Sequence, residues 1–197
     1  MAPTISRSRL LIILLCVVIV IMMVQNYFLV RKNDEYQKRV EILAEEVNRL
    51  SVMSKGDTVY AFSALNMDSS SVIIDPDGKK KLIFVLTTTC GSCVQNMAGW
   101  NQLRKDISQF DVQVIGISPD SIYKIRSFSG KVYPSFPVFS LASNYLVARK
   151  YKFQTFPQTI LVDESGIVQG VWVGILNDEQ RNNIIESLRA VLINNQN

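Results

Sequence analysis

The chain has 197 residues, no histidine, three cysteines, and 21 basic against 17 acidic side chains, for a formal charge of +4. Without histidine it lacks the usual general base of serine and cysteine hydrolases, the imidazole ligands of zinc and copper and the common proximal haem ligand. Charges of both signs are interspersed and the basic run Lys79-Lys80-Lys81 has no aromatic residues between its members, so nucleic acid is not expected as a partner.

Residues 1–9 form a short tail that carries Arg7 and Arg9. Residues 10–30 are dominated by Leu, Ile, Val and Met, and from Leu10 to Val24 the only polar group is the thiol of Cys16. At ~1.5 Å per residue, about 20 such residues cross a bilayer core as a helix. The basic start also suits a cleaved signal peptide. The exit Gln25-Asn26-Tyr27-Phe28 offers no small-x-small cleavage site, and the stretch reads instead as an uncleaved transmembrane anchor. Cys16 follows the bulky Leu15, which argues against lipidation and for a small hydrophobe facing lipid. Basic residues flank both ends of the span, so their count alone does not orient it. The short N-terminus matches a signal anchor, which places the C-terminal domain outside the cytoplasm, in the bacterial periplasm or on the outer face of the cytoplasmic membrane.

From Thr4 to Lys55 there is neither Gly nor Pro. Tyr36, Val40, Leu43, Val47 and Leu50 recur at steps of four and three, a heptad seam, so residues 31–55 are expected to form a helical stalk. The seam either rests on the chain's own domain or makes a homodimer through a short parallel coiled coil. Two heptads are marginal for the latter.

Gly56-Asp57 ends this helix, and residues 56–197 are expected to form one domain. Asp75-Pro76-Asp77-Gly78 followed by the three lysines reads as a solvated turn leading into a strand. Next come a buried strand over 82–86, a helix after Cys93, a strand over 112–117 and a helix near 121–128. Pro137-Val138-Phe139 is extended, and a helix follows around 144–151. Strands over 159–162 and 167–173 flank the turn Asp163-Glu164-Ser165-Gly166. A last helix over 178–192 has Ile184, Ile185, Leu188, Val191 and Leu192 along one stripe. This order predicts an α/β domain with a mixed central sheet covered on both faces by helices.

The chemistry concentrates in Cys90-Gly91-Ser92-Cys93, between the buried strand and a helix. Backbone N–H groups at a helix start are unpaired and partially positive, so a sulfur there is stabilised as the thiolate. Cys90 attacks, and Cys93, about one turn along, resolves the mixed disulfide and closes an internal one. These two cysteines are the catalytic candidates. Read as a zinc motif, the pair supplies half of the ligands that a site within one chain needs. No metal and no cofactor is called for.

Three features are shared with thioredoxin-fold proteins: the C-x-x-C after a buried strand, Phe136-Pro137-Val138, and the stretch from Phe156-Pro157-Gln158-Thr159 to Asp163-Glu164-Ser165-Gly166. The domain most resembles the membrane-anchored TlpA/ResA-like thiol-disulfide oxidoreductases of the redoxin family, over roughly residues 56–194. The resemblance implies a cis Pro157 against the sulfurs, with the N–H and C=O of Phe156 offered to an extended partner segment. The plain alternative is a trans proline opening an edge strand. Phe156 is bulkier than the family's usual residue there and serves either the core or the substrate. Thr89 replaces the family's Trp before the first cysteine, so its part of the docking face lacks an aromatic lip. Asn96 and Ala98 replace a Glu and a Pro of the reducing branch, which removes a candidate proton acceptor for Cys93.

The resemblance makes the expected partner a protein thiol or disulfide, with Pro157, Phe156 and Thr89 as substrate-binding residues. Two other uses stay open. A tethered binding or assembly factor would keep Cys90–Cys93 as a structural disulfide. A peroxiredoxin-like peroxidase would use Thr87 in a Pro-x-x-x-Thr-x-x-Cys frame, in which Ile83 replaces the proline.

Overall fold

The computed structural model describes residues 7–194. It begins with helix α1, Arg7–Ser51, whose segment Leu11–Ala44 is long and apolar enough to cross a membrane. The helix stops short of Lys55 because the following backbone finds other partners. The Ser54 N–H donates to Asp57 Oδ2 at 2.9 Å, and the Gly56 N–H to the Val168 carbonyl at 2.8 Å. Contacts divide the chain into two compact units, one ending at Asn48 and one beginning at Arg49.

The second unit contains strands β1 (Phe62–Leu65), β2 (Ser71–Ile74) and β3 (Lys80–Val85), helix α2 (Gly91–Asp106), strand β4 (Val112–Ser118), helix α3 (Ile122–Val132) and strand β5 (Val138–Ser140). Helix α4 (Tyr145–Lys150), strands β6 (Gln158–Val162) and β7 (Val168–Val173) and helix α5 (Asp178–Asn194) complete it. The sheet is seven-stranded, in the order β2-β1-β5-β4-β3-β6-β7. Strands β3, β4 and β5 run parallel to one another, while β6, β7 and the β1–β2 hairpin pair antiparallel. This is the thioredoxin-like architecture, a mixed sheet with helices on its faces.

The hairpin was not expected from the sequence. Its strands span four residues each, too short for a clear alternation to register. Side chains reinforce its backbone-bonded turn: Asn66 Oδ1 accepts the N–H groups of Asp68 and Ser70, and Asp68 Oδ1 accepts Ser70 N–H at 2.8 Å.

A second correction concerns the lysine run. Lys79 is exposed, but Lys80 and Lys81 are buried within β3 rather than on a solvated turn. Their apolar stems lie along the sheet while their heads find oxygen. Lys80 Nζ pairs with Glu164 at 3.2 Å, and Lys81 Nζ donates to the Lys79 carbonyl at 3.2 Å. Burial pushes the Lys81 ammonium below the ordinary lysine value, against the opposing pull of Asp75 and Asp77.

Strand alternation sorts the core into two layers. Leu82, Phe84 and Leu86 join the cluster of α2, α3 and α5, which includes Met97, Trp100, Ile125 and Ile184. Ile83 and Val85 join the opposite cluster with Phe62, Tyr151, Phe153 and Ile160. Trp100 stacks on Phe84 with ring centroids 4.8 Å apart, and its Nε1–H donates to Thr159 Oγ1 at 2.9 Å. The indole is thus buried with its one donor satisfied.

Gly166, in the turn between β6 and β7, has φ +79°, and a Cβ added there would meet the Val59 carbonyl oxygen at 2.5 Å. Gly166→Ala therefore combines left-handed strain with a backbone clash. It should lower unfolding stability by more than ~1 kcal/mol in denaturant titration. An unchanged midpoint would contradict the geometry of this turn.

Candidate active site

Strand β3 ends at Val85, and the chain continues through Thr87, Thr88 and Thr89 into α2. Asp120, just beyond β4, fastens this connection. Its Oδ2 accepts the Thr88 N–H and the Thr87 hydroxyl, each at 2.7 Å, and the Thr88 hydroxyl at 2.9 Å. Burial alone would raise the Asp120 carboxyl. The Thr88 N–H, the two hydroxyls and the Lys124 ammonium outweigh it and hold the group below its ordinary value.

Cys90 is the N-cap of α2, with extended φ −88° and ψ 108°. The helix thus begins three residues earlier than expected and contains Cys93. Cys90 Sγ accepts the Cys93 N–H at 3.0 Å, as a capping oxygen accepts a helix-start donor. Cys90 and Cys93 are joined in a disulfide, with Cα atoms 5.2 Å apart. The two sulfurs differ in access: Cys93 is fully buried, while Cys90 is half-buried. The first turn of α2 has no acidic residue to oppose negative charge on Cys90.

The pairing of Val85 with Gln158 brings the end of β3 and the start of β6 to one end of the sheet. The Phe156–Pro157 peptide, cis, therefore lies at the same end as the disulfide. Phe156 is half-buried and packs against both core clusters, including the one that contains Cys90 and Cys93. Among the described residues nothing hydrogen-bonds the Phe156 N–H or C=O. Thr89 is exposed beside Cys90.

Asn96, where sequence comparison with the resembling family pointed to a lost carboxylate, has a structural use. It is buried on α2 one turn beyond Cys93, and its Nδ2 donates to the Gly174 carbonyl at 3.4 Å. Its Oδ1 accepts the Leu176 N–H at 3.0 Å. The Gly174 N–H in turn donates to the Pro157 carbonyl at 2.9 Å, so a short bonded chain links the cysteine helix to the cis proline. On the other side of β6, the fully buried Gln158 donates from Nε2 to the carbonyls of Lys152 and Thr155, at 3.0 and 2.7 Å. It thereby fixes the loop that carries Phe156. Sequence reasoning missed Asp120 and Gln158 as site-building residues.

Residues 56–171 match the model of the AhpC/TSA family, and the chain belongs to that family. Over 125 residues it is 26% identical to the Thioredoxin-like protein YneN of Bacillus subtilis (strain 168), covering 61% of this chain and 71% of that relative. A Chlorobium tepidum structure, assigned as a thiol:disulfide interchange protein DsbE, superposes with a TM-score of 0.61 at 22% identity, covering 71% of this chain and 99% of its own. Peroxidoxin BcpB of Mycobacterium tuberculosis superposes with a TM-score of 0.58 at 19% identity, over 71% of this chain and 98% of its own. These two structures share the fold. Family membership and the closed Cys90–Cys93 pair define a redox protein at a general level.

The Asp120 carboxyl has a folded value below its unfolded one, near 3.9. Its contribution to stability is complete above that unfolded value and is lost as pH falls through the folded one. Asp120→Asn should therefore lower stability at pH 7 by about 1 kcal/mol and flatten the acid limb below about pH 4. Stability curves for variant and parent that stay parallel from pH 7 to pH 2 would contradict this role.

Proposed function

We propose that the protein is a membrane-anchored thiol-disulfide oxidoreductase whose Cys90/Cys93 pair exchanges with an extracytoplasmic protein partner. The asymmetry of the two sulfurs carries this reading: an accessible sulfur caps α2 while its mate is sealed beneath. A purely structural cross-link has no need of that division. Residues 10–30 serve as the anchor, 31–55 as the stalk and 56–197 as the redox domain, and an extracytoplasmic compartment permits disulfide chemistry.

In the reducing direction the Cys90 thiolate attacks one sulfur of a partner disulfide. A Cys90–partner bond forms, and the partner's other sulfur leaves as a thiolate. Cys93 gives up its proton and attacks Cys90 Sγ, closing the Cys90–Cys93 disulfide and releasing the second partner thiol. Two electrons pass from the protein to the partner, and the same steps reversed oxidise a partner dithiol. Backbone N–H groups at the start of α2 stabilise Cys90 each time it carries charge. Asn96 is occupied in bonding the Gly174 and Leu176 backbone and does not accept the Cys93 proton. That proton passes to the departing thiolate or to water.

Phe156 presents its unpaired backbone N–H and C=O to an extended partner segment, Pro157 shapes the loop, and Thr89 borders the approach. A peroxidase reading is weaker, because the Thr87 hydroxyl is turned to Asp120 and the buried Ile83 stands where the peroxiredoxin frame has proline.

Trapping tests the proposal in membranes that contain the full-length protein. Cys93→Ser should accumulate mixed disulfides on Cys90, the Cys90→Ser/Cys93→Ser double variant should accumulate none, and Cys90→Ser should lose exchange by about 100-fold or more. Full exchange by Cys90→Ser would overturn the assignment. Reduction of hydrogen peroxide faster than exchange with any protein disulfide would favour the peroxidase.

A further inference from the structure

The heptad seam of the stalk extends well beyond the stalk. With Val40 at position a, the other a positions are Ile12, Ile19, Asn26, Asn33 and Val47. The d positions are Leu15, Met22, Leu29, Tyr36 and Leu43. All of them lie in the uninterrupted helix α1, and all are exposed.

We infer that α1 is one strand of a parallel two-stranded coiled coil with a second copy of this chain, continuous from the span into the stalk, with Asn26 and Asn33 facing their counterparts across the seam. Four observations point to that occupant. First, the apolar a positions are β-branched and the d positions are mostly Leu, the combination that favours two parallel strands. Second, Asn26 at a lies within residues 10–30, where a polar side chain is unfavourable against lipid, and in a coiled coil Asn at a fixes register by pairing with the same residue of an identical helix. Third, the flanking positions permit parallel pairing: Lys32 at g would face Gln37 at e of the next heptad, and Arg39 would face Ala44, so no like charges meet. Fourth, Tyr36, Val40, Leu43 and Val47, beyond the anchor residues 10–30, are 56%, 60%, 60% and 62% exposed, and a second seam would remove them from water.

The apolar character of the seam inside the span is uninformative, since lipid asks for it anyway. The branching pattern and the two Asn residues carry the argument. Continuity also meets the length objection: a seam from Ile12 to Val47 has roughly five heptads, where the stalk alone has two. The same left-handed packing geometry serves in membrane and in water. Parallel orientation rests on the anchor reading, because two identical spans insert the same way.

The test uses full-length protein in native membranes with Cys16, Cys90 and Cys93 replaced by Ser. Leu43→Cys places a thiol in the seam at d, and Lys38→Cys places one at the outer f position. Under copper-phenanthroline oxidation, Leu43→Cys should form a disulfide-linked dimer at least tenfold faster than Lys38→Cys. Equal rates, or no dimer from either, would overturn the inference. Sedimentation of the unsubstituted protein in detergent should give two chains per particle, and a monomer would likewise overturn it. Asn26→Leu/Asn33→Leu should add species larger than a dimer, and a dimer left unchanged would remove the Asn pairs from the account. Alkaline carbonate extraction separates the two readings. A chain that stays in the membrane without cross-linking refutes the coil and not the anchor, and a chain that is extracted yet cross-linked refutes the anchor and not the coil.

Discussion

Strand β3 is the constraint on which the remaining structure depends. All of its residues, Lys80–Val85, are buried, and it pairs with β4 on one side and β6 on the other. Because side chains alternate across a strand, Leu82 and Phe84 enter one core while Ile83 and Val85 enter the other. A slip of one residue would exchange both sets between the two cores, so the register is strongly specified. That register also positions the candidate site. It sets where the chain leaves the sheet toward Cys90 and, through Val85 opposite Gln158, where Pro157 arrives.

At that end of the sheet, polar side chains fix the backbone and leave the Phe156 N–H and C=O without hydrogen-bond partners among the described residues. Asp120 holds the approach to Cys90, Asn96 ties α2 to the segment that bonds Pro157, and Gln158 holds the loop before it. None of these groups is a proton donor or acceptor poised on a sulfur. The site's electrostatic asset is the helix start itself, where Cys90 takes the place of a capping oxygen.

Much of this was readable in the sequence because it rests on local, strongly patterned signals. The apolar run before Cys90-Gly91-Ser92-Cys93 reads as a buried strand by its length and the turn before it, and the alternation of strands and helices after it led to the mixed sheet. What escaped has a common physical character. The β1–β2 hairpin depends on side-chain hydrogen bonds in its turn more than on hydrophobic period. Lys80 and Lys81 look solvated by composition, and only the pairing of β3 between two neighbours buries them. Asp120 lies 30 residues beyond Cys90 in the chain, and only the parallel pairing of β3 with β4 brings it alongside. Asn96 reads as a deletion of chemistry until Gly174 and Leu176 are seen to be its partners.

The central claim is that Cys90 is a nucleophile activated by its position at the start of α2. The most direct measurement is the rate of alkylation of each cysteine in the reduced full-length protein across pH, resolved by mass spectrometry of peptides. The account predicts that Cys90 reacts well ahead of Cys93 and with a midpoint below the free cysteine value of about 8.5. A Cys90 midpoint at or above that value, or Cys93 reacting first, would contradict it.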